Sequence, residues 1–397
     1  MCKKLISVLL CLSMLIIMAS PILASSDITN KPVDVLNLWE EGINTKNLDL
    51  YLSTYSENSK NEMNQILSNV TEDQKQFIEF YSIDKLVLKN LKRLSPSDVK
   101  DLLNLEPYNG KTFEIYYFYV DTKLKGSENR YNINGENFRI CILIKENGSW
   151  KIAQMSVAPV PFLLLKNINL NSNKESKIEG DINSIHQNIE KDEKSINKEQ
   201  DFSNAVTTYA LSSIVQPNTI RVYIGMYENW HNRLGLSTPI VESVDFTSYV
   251  MDVLPNEWDS DIVVPDCNNY STKKWQSLYC GALMVKTYGW YNVVYPVNPG
   301  VGFDVYDDTR SQYYLIDSKN KISQDGNGVS FDWGDMCEYA VYYVINQVIW
   351  NGSSNQPYFA SYNQTTQSNT YSWSSQGKTY SQMVNLTYGS NATVRSY

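Results

Sequence analysis

Few residue types in this chain could carry chemistry. Histidine occurs only as His186 and His231, so neither a Ser-His-Asp relay nor a three-histidine metal centre is easily assembled. No glycine-rich phosphate loop is present. Beyond the first two dozen residues the cysteines are Cys141, Cys267, Cys280 and Cys337, too sparse and irregular for a disulfide scaffold or a zinc ribbon. A Cys267 to Cys280 bridge is the one pairing left open. Asp307-Asp308 has the type of a metal pair but lacks alternating acidic ligands around it, and reads as a turn. What remains is carboxylates, amides, lysines and aromatic rings. That set suits carbohydrate chemistry, in which a carboxyl group moves the proton.

These residues need elements to position them, and the chain divides by composition. Lys3 and Lys4 precede an apolar run from Leu5 to Met18, and Ile22-Leu23-Ala24 forms a cleavage site, so residues 1–24 read as an export signal. An uncleaved anchor is the alternative, since the run is only slightly shorter than a membrane span. Cys11 lacks the small preceding residue that lipoprotein processing requires. The formal charge is −9, or −11 once Lys3 and Lys4 are removed, which repels phosphate backbones and excludes nucleic acid as a partner.

Residues 33–161 open with an amphipathic helix carrying Val35, Leu36, Trp39 and Ile43, then Leu48, Leu52 and Tyr55. Strands follow over Thr112 to Asp121 and Asn137 to Lys145, and Asn147-Gly148 turns the chain into Trp150 to Val157. Helix first and curved antiparallel strands after resembles a cone-shaped domain of the nuclear-transport-factor-2-like type. Residues 162–203 change to Asn, Lys, Glu, Ser and isolated Ile, and read as a charged linker. Within it Ile178, Ile182, Ile185 and Ile189 give one stretch a single apolar stripe. From 219 to 397 a second globular region begins with the strand Ile220 to Ile224. The fold class expected is α+β in both globular parts.

In the second region Phe246, Val250 and Val253 share one helical face until Pro255, which is expected to halt the helix just before Glu257. Trp275 to Tyr291 has apolar and small residues all round, as a core helix does, with Lys286 its odd charged member. Four ordered blocks here resemble the stage II sporulation protein D and amidase-enhancer family of bacterial cell-wall proteins. They are Tyr249-Val250 with Val253-Leu254-Pro255-Asn256-Glu257, Gln276 to Tyr291, Asp304 to Tyr313, and Gln376 to Met383. The family's glycine-rich stretch before the closing helix is replaced by Tyr371 to Gln376. Its zinc-binding members carry Cys and His after the long helix, whereas Tyr295 to Tyr314 has neither, so no metal and no cofactor is expected.

The resemblance implies a lytic transglycosylase that cuts between N-acetylmuramic acid and N-acetylglucosamine and leaves a 1,6-anhydro end. Glu257 is then the catalytic acid/base. Starting as an acid near neutrality requires a raised pKa, from burial against Trp258 and Leu254 and from the negative charge of Asp259 and Asp261. Trp258, Lys286, Tyr288 and Gln312 are the residues implied to meet substrate. For Trp258 the alternative is a place in the core, and for Lys286 and Tyr288 a buried structural role. The expected partner is the glycan strand of peptidoglycan, with the protein secreted and associated with the cell wall. Two other readings stay open: a non-catalytic enhancer that binds glycan or a cell-wall amidase, and an adhesin. The membrane is a partner only if the signal is retained.

Overall fold

The computed structural model describes residues 31–100, 102–129, 131–180, 215–225, 238–260, 275–324 and 330–397. The export signal, both histidines, Asp261, Cys267 and the isoleucines after Ile178 in the stripe lie outside the described residues. The fold is α+β.

The first module begins with three helices, α1 (Pro32–Thr45), α2 (Leu48–Ser53) and α3 (Glu57–Asn69). Val35, Leu36, Trp39 and Ile43 of α1 are all buried. The apolar stripe read from the sequence faces the sheet for the usual reason, removal of its area from water. That sheet is a four-stranded antiparallel meander of β1 (Ile83–Leu94), β2 (Phe113–Leu124), β3 (Gly135–Glu146) and β4 (Ser149–Val157). Asn147 at φ 50° and Gly148 at φ 86° make the tight turn between the last two strands, a conformation that Asn-Gly adopts at little steric cost. Strand β1 does not appear in the sequence pattern. Its Lys85, Lys89, Lys92 and Arg93 interrupt the apolar alternation, as charged residues do on an edge strand.

After β4 the chain does not become a solvated linker at once. A short helix α4 (Val160–Leu165) buries Val160, Phe162 and Leu163, and Ile168 and Leu170 are buried beyond it. Glu175 is also buried. It accepts the Tyr117 hydroxyl at 2.6 Å and the Leu170 and Ser172 amides at 2.8 and 3.1 Å. The first module therefore extends at least to Glu175, and the segment expected as linker from 162 is part of its core over this stretch. Composition misleads here because the few apolar residues among Asn and Ser are spaced to dock locally.

The second module is built around helix α6 (Trp275–Val294), buried on all sides from Ser277 to Asn292. On one side lies a sheet of β5 (Thr219–Ile224) between antiparallel β6 (Ile240–Asp245) and parallel β7 (Val305–Tyr306), with α5 (Phe246–Glu257) between β6 and α6 in sequence. On the other lies α7 (Trp333–Tyr343) and the sheet of β8 (Gln347–Asn351), which pairs with both β9 (Gln356–Pro357) and β10 (Ala392–Ser396). Helices α8 (Gln364–Ser375) and α9 (Tyr380–Tyr388) close the module.

The two modules share apolar cores. Tyr223, Val297, Phe303 and Tyr306 of the second join the helix-and-sheet core of the first. Tyr288, Tyr291 and Phe359 join a further cluster with Leu102, Leu103 and Phe162. At the junction Tyr131 donates to Asp304 at 3.1 Å, and the Val157 amide donates to the Pro296 carbonyl at 3.0 Å. Gly302 sits at φ 72°, and a Cβ there would lie 2.9 Å from the Phe77 carbonyl oxygen. Only glycine allows that approach.

Candidate functional site

Glu257 is the last residue of α5. The helix does not stop before it: Pro255 is accommodated in the final turn, and Trp258 caps the end through its amide to the Leu254 carbonyl at 2.9 Å. The carbonyl of Pro255 is used twice, by the Trp333 indole at 3.3 Å and the Lys321 ammonium at 2.9 Å. These bonds hold the last turn, which has lost a backbone donor to proline, in one place. Gln367 of α8 donates to the Glu257 carbonyl, and the Tyr313 amide donates to one oxygen of its carboxyl group. Backbone and side chain are thus fixed from different directions.

Glu257 borders a cleft of 580 Å³ that runs between the modules. On its own side the cleft is lined by Asn256, Tyr288, Ser311, Tyr313 and Tyr362. On the far side Leu103, Asn104, Glu106 and Asn109 of the first module form the wall. Glu257 keeps partial access to this cleft while most of its carboxyl is surrounded by protein. Burial pushes its pKa up to about 7, and the Tyr313 amide works in the opposite direction. The end of α5 adds a partial negative charge that also favours the neutral acid. Of the acidic neighbours expected to raise the pKa, Asp261 lies outside the described residues and Asp259 is not among the causes of the shift. Asp259 lies past the helix end, and among the described residues loss of hydration is the cause that raises the pKa.

The four residues expected to meet substrate separate into different roles. Tyr288 lines the cleft, with its ring 5.4 Å from that of Phe359 and 6.4 Å from that of Tyr362. Gln312 is buried and lies behind the cleft. It accepts the Tyr249 hydroxyl at 2.9 Å and donates to the Val285 carbonyl at 3.1 Å and to the Tyr362 hydroxyl at 2.8 Å. It orients Tyr362 and anchors the segment that presents the Tyr313 amide, so its action on a ligand is indirect. Trp258 is 1% exposed, with its ring edge-on to Tyr362 at 5.5 Å and against α6 at Gly281. It is core, and supplies the apolar surroundings of the neighbouring glutamate.

Lys286 is not at the cleft. Its ammonium group donates to the carbonyls of Val344 and Ile345 at the end of α7, to that of Gln347 at 2.8 Å and to the Tyr397 hydroxyl at 2.7 Å. It satisfies carbonyls that a helix end leaves without partners. Burial pulls its pKa down to about 7, while these oxygens and the Tyr397 ring 4.8 Å away stabilise the charge. The expectation of a glycan contact at Lys286 is corrected by this placement.

The acidic pair is likewise committed to structure. Asp308 takes Arg310 in a paired contact, with Nε at 3.0 Å and Nη2 at 2.8 Å, and Asp307 accepts the Gly225 amide at 3.1 Å. Arg310 also reaches Glu62 of α3 at 2.8 Å and stacks over Tyr306 at 3.7 Å. Cys280 is a free, fully buried thiol in the core of the second module. Sequence reasoning did not single out Tyr362 or the far wall. Tyr362 sits between recognisable blocks, and the far wall comes from a module with no motif of its own.

Set against known protein families, curated proteins and solved structures, the chain matches none of them. Residues and geometry therefore carry the functional reading.

Proposed function

We propose that this chain, exported through the signal at residues 1–24, is a lytic transglycosylase acting on the glycan strands of peptidoglycan, with Glu257 as its single acid/base. The observation that carries the proposal is the Glu257 carboxyl group. Burial raises its pKa to about 7, and it borders a cleft lined mainly by amides, hydroxyls and aromatic rings, with Lys100, Glu106 and two leucines on the far wall. Such a lining binds sugars through hydroxyl hydrogen bonds and ring faces. The Pro-x-Glu helix that ends at this cleft and the buried long helix that contributes Tyr288 to it support a sporulation-protein-D-like reading of the second module. The order of the first module, helices first and a four-stranded antiparallel sheet after, supports a nuclear-transport-factor-2-like reading.

The chemistry balances on one carboxyl. Protonated Glu257 gives its proton to the glycosidic oxygen as the bond to C1 of the muramic acid breaks, leaving positive charge on that carbon. The resulting carboxylate takes the proton of the same sugar's 6-hydroxyl while O6 bonds to C1. Glu257 ends protonated, the anhydro ring forms, and no water is consumed. A hydrolase would need a second carboxyl to activate water, and among the cleft-lining residues the other carboxyl is Glu106, exposed on the far wall.

The test is incubation of the mature protein, and of Glu257→Gln, with purified glycan strands with and without stem peptides, followed by mass analysis. Wild type should produce anhydro-muramic ends, and Glu257→Gln should lose at least about a hundredfold in rate, the scale of a lost general acid. One feature favours a second reading, the non-catalytic enhancer. Helix α8 stands where the family's glycine-rich stretch would lie, and closes on Glu257 through Gln367. Glycan binding or amidase stimulation without cleavage by wild type would establish that reading and sink the first.

A further inference from the structure

We infer that Lys100 and the turn at residues 102–109 of the first module are the second half of the glycan site, with Lys100 and Asn109 contacting the strand and Asn104 positioning them. The inference rests on the reading of the cleft as a glycan site and extends it to a module that has no catalytic motif.

Three observations combine. Lys100, Leu103, Asn104, Glu106 and Asn109 line the same cleft as Glu257, so a ligand lying against the carboxyl has this turn as its other face. The turn is also held rigidly to the catalytic side. Leu102 and Leu103 are buried in the shared cluster with Tyr288, Tyr291 and Phe359. The Asn104 amide reaches the Thr309 carbonyl at 3.4 Å, and the Tyr291 hydroxyl reaches the Leu102 carbonyl at 3.5 Å. A wall anchored this way keeps a fixed distance from Glu257, which a binding subsite needs.

The third observation is what the wall offers. The side chains of Lys100 and Asn109 are exposed and make no hydrogen bond to another described residue. An amide with both donor and acceptor free, beside an ammonium with three donors, matches the hydroxyl, acetamido and carboxylate groups of a muramic-acid-containing strand. The Asn104 amide, already engaged with Thr309, holds the turn in register. Each modest hydrogen bond gained here tightens binding without touching the bond being broken, so the effect belongs in KM.

The experiment uses the full mature protein and purified glycan strands. Lys100→Ala, Asn109→Ala and the double variant are compared with wild type for KM and kcat, and for glycan affinity in a Glu257→Gln background. Lys111→Ala, two residues beyond the turn and outside the cleft, is the control. The double variant should raise KM and weaken affinity about tenfold, with kcat within twofold, as expected for losing two exposed hydrogen-bonding groups. The control should match wild type. If wild type cleaves and the double variant keeps its KM, the inference fails while the transglycosylase reading stands. If wild type does not cleave but the double variant loses affinity, the activity reading fails and the glycan wall stands. Absence of both cleavage and glycan binding in wild type overturns both.

Discussion

At the scale of single residues, Glu257 makes a claim about stability as well as activity. Its pKa is raised in the fold from the ordinary carboxyl value to about 7, so between these two values the native state holds more protons than the unfolded chain. Stability must then fall as pH rises through that window and level off above it. Replacing the group by neutral Gln removes the penalty, which is at most about 3 kcal/mol for a shift of this size. Glu257→Gln is therefore expected to melt several degrees above wild type at pH 8 and to lose that advantage by pH 5, read by thermal unfolding. Asp307, also raised to about 7 by burial beside Asp308, titrates in both proteins and cancels in the comparison. An equal difference at the two pH values would show that Glu257 is not held neutral by burial. The same protonation predicts a kcat/KM that declines above about pH 7. The place of Glu257 at a helix end was legible because Pro255 just before it is a local signal, whereas its proposed role came from the family resemblance. The role of Lys286 was not, because the carbonyls it satisfies come from Val344 to Gln347, a distant part of the chain.

At the scale of elements, the contact between the end of α5 and the middle of α6 places Glu257. Gly281 makes it possible: a Cβ there would meet the Trp258 ring at 2.5 Å. Gly281→Ala should displace Trp258, cost about 1–3 kcal/mol as an overpacked core position, and, on the proposed mechanism, lower kcat more than stability alone explains, because Trp258 adjoins the Glu257 carboxyl. A variant that folds with full kcat would show that this packing does not set the site. Helix α6 itself was legible from its all-round apolar character, and the β3–β4 turn from Asn147-Gly148. Strand β1 was not, since its lysines hide the period-two pattern. The end of α5 was misjudged by two residues because the Pro255 carbonyl finds partners in Trp333 and Lys321 that no local pattern announces.

At the scale of the whole molecule, the modules are joined through their cores and not merely tethered. Tyr223, Phe303 and Tyr306 complete the core of the first module, and Tyr288 and Phe359 complete another cluster with its turn. Separate unfolding would expose both sets of rings. The expectation is one cooperative thermal transition by calorimetry, with Arg310→Ala lowering its midpoint through loss of the Glu62 and Asp308 contacts, and by no more than a few degrees since these groups keep some solvent access. Two resolved transitions in wild type would contradict a shared core. This coupling was invisible in the sequence because the burial of each partner depends on residues in the other module. Composition, which separated the two regions cleanly, carries no information about their contact.

The central claim is that one carboxyl group suffices because the attacking oxygen belongs to the sugar and not to water. Digestion of purified glycan strands in heavy-oxygen water tests it most directly. Mass analysis of the new ends should show 1,6-anhydro-muramic acid with no heavy oxygen in the wild-type products, and no new ends with Glu257→Gln. New reducing ends that carry heavy oxygen would contradict the account and point to a hydrolase using a second carboxyl across the cleft.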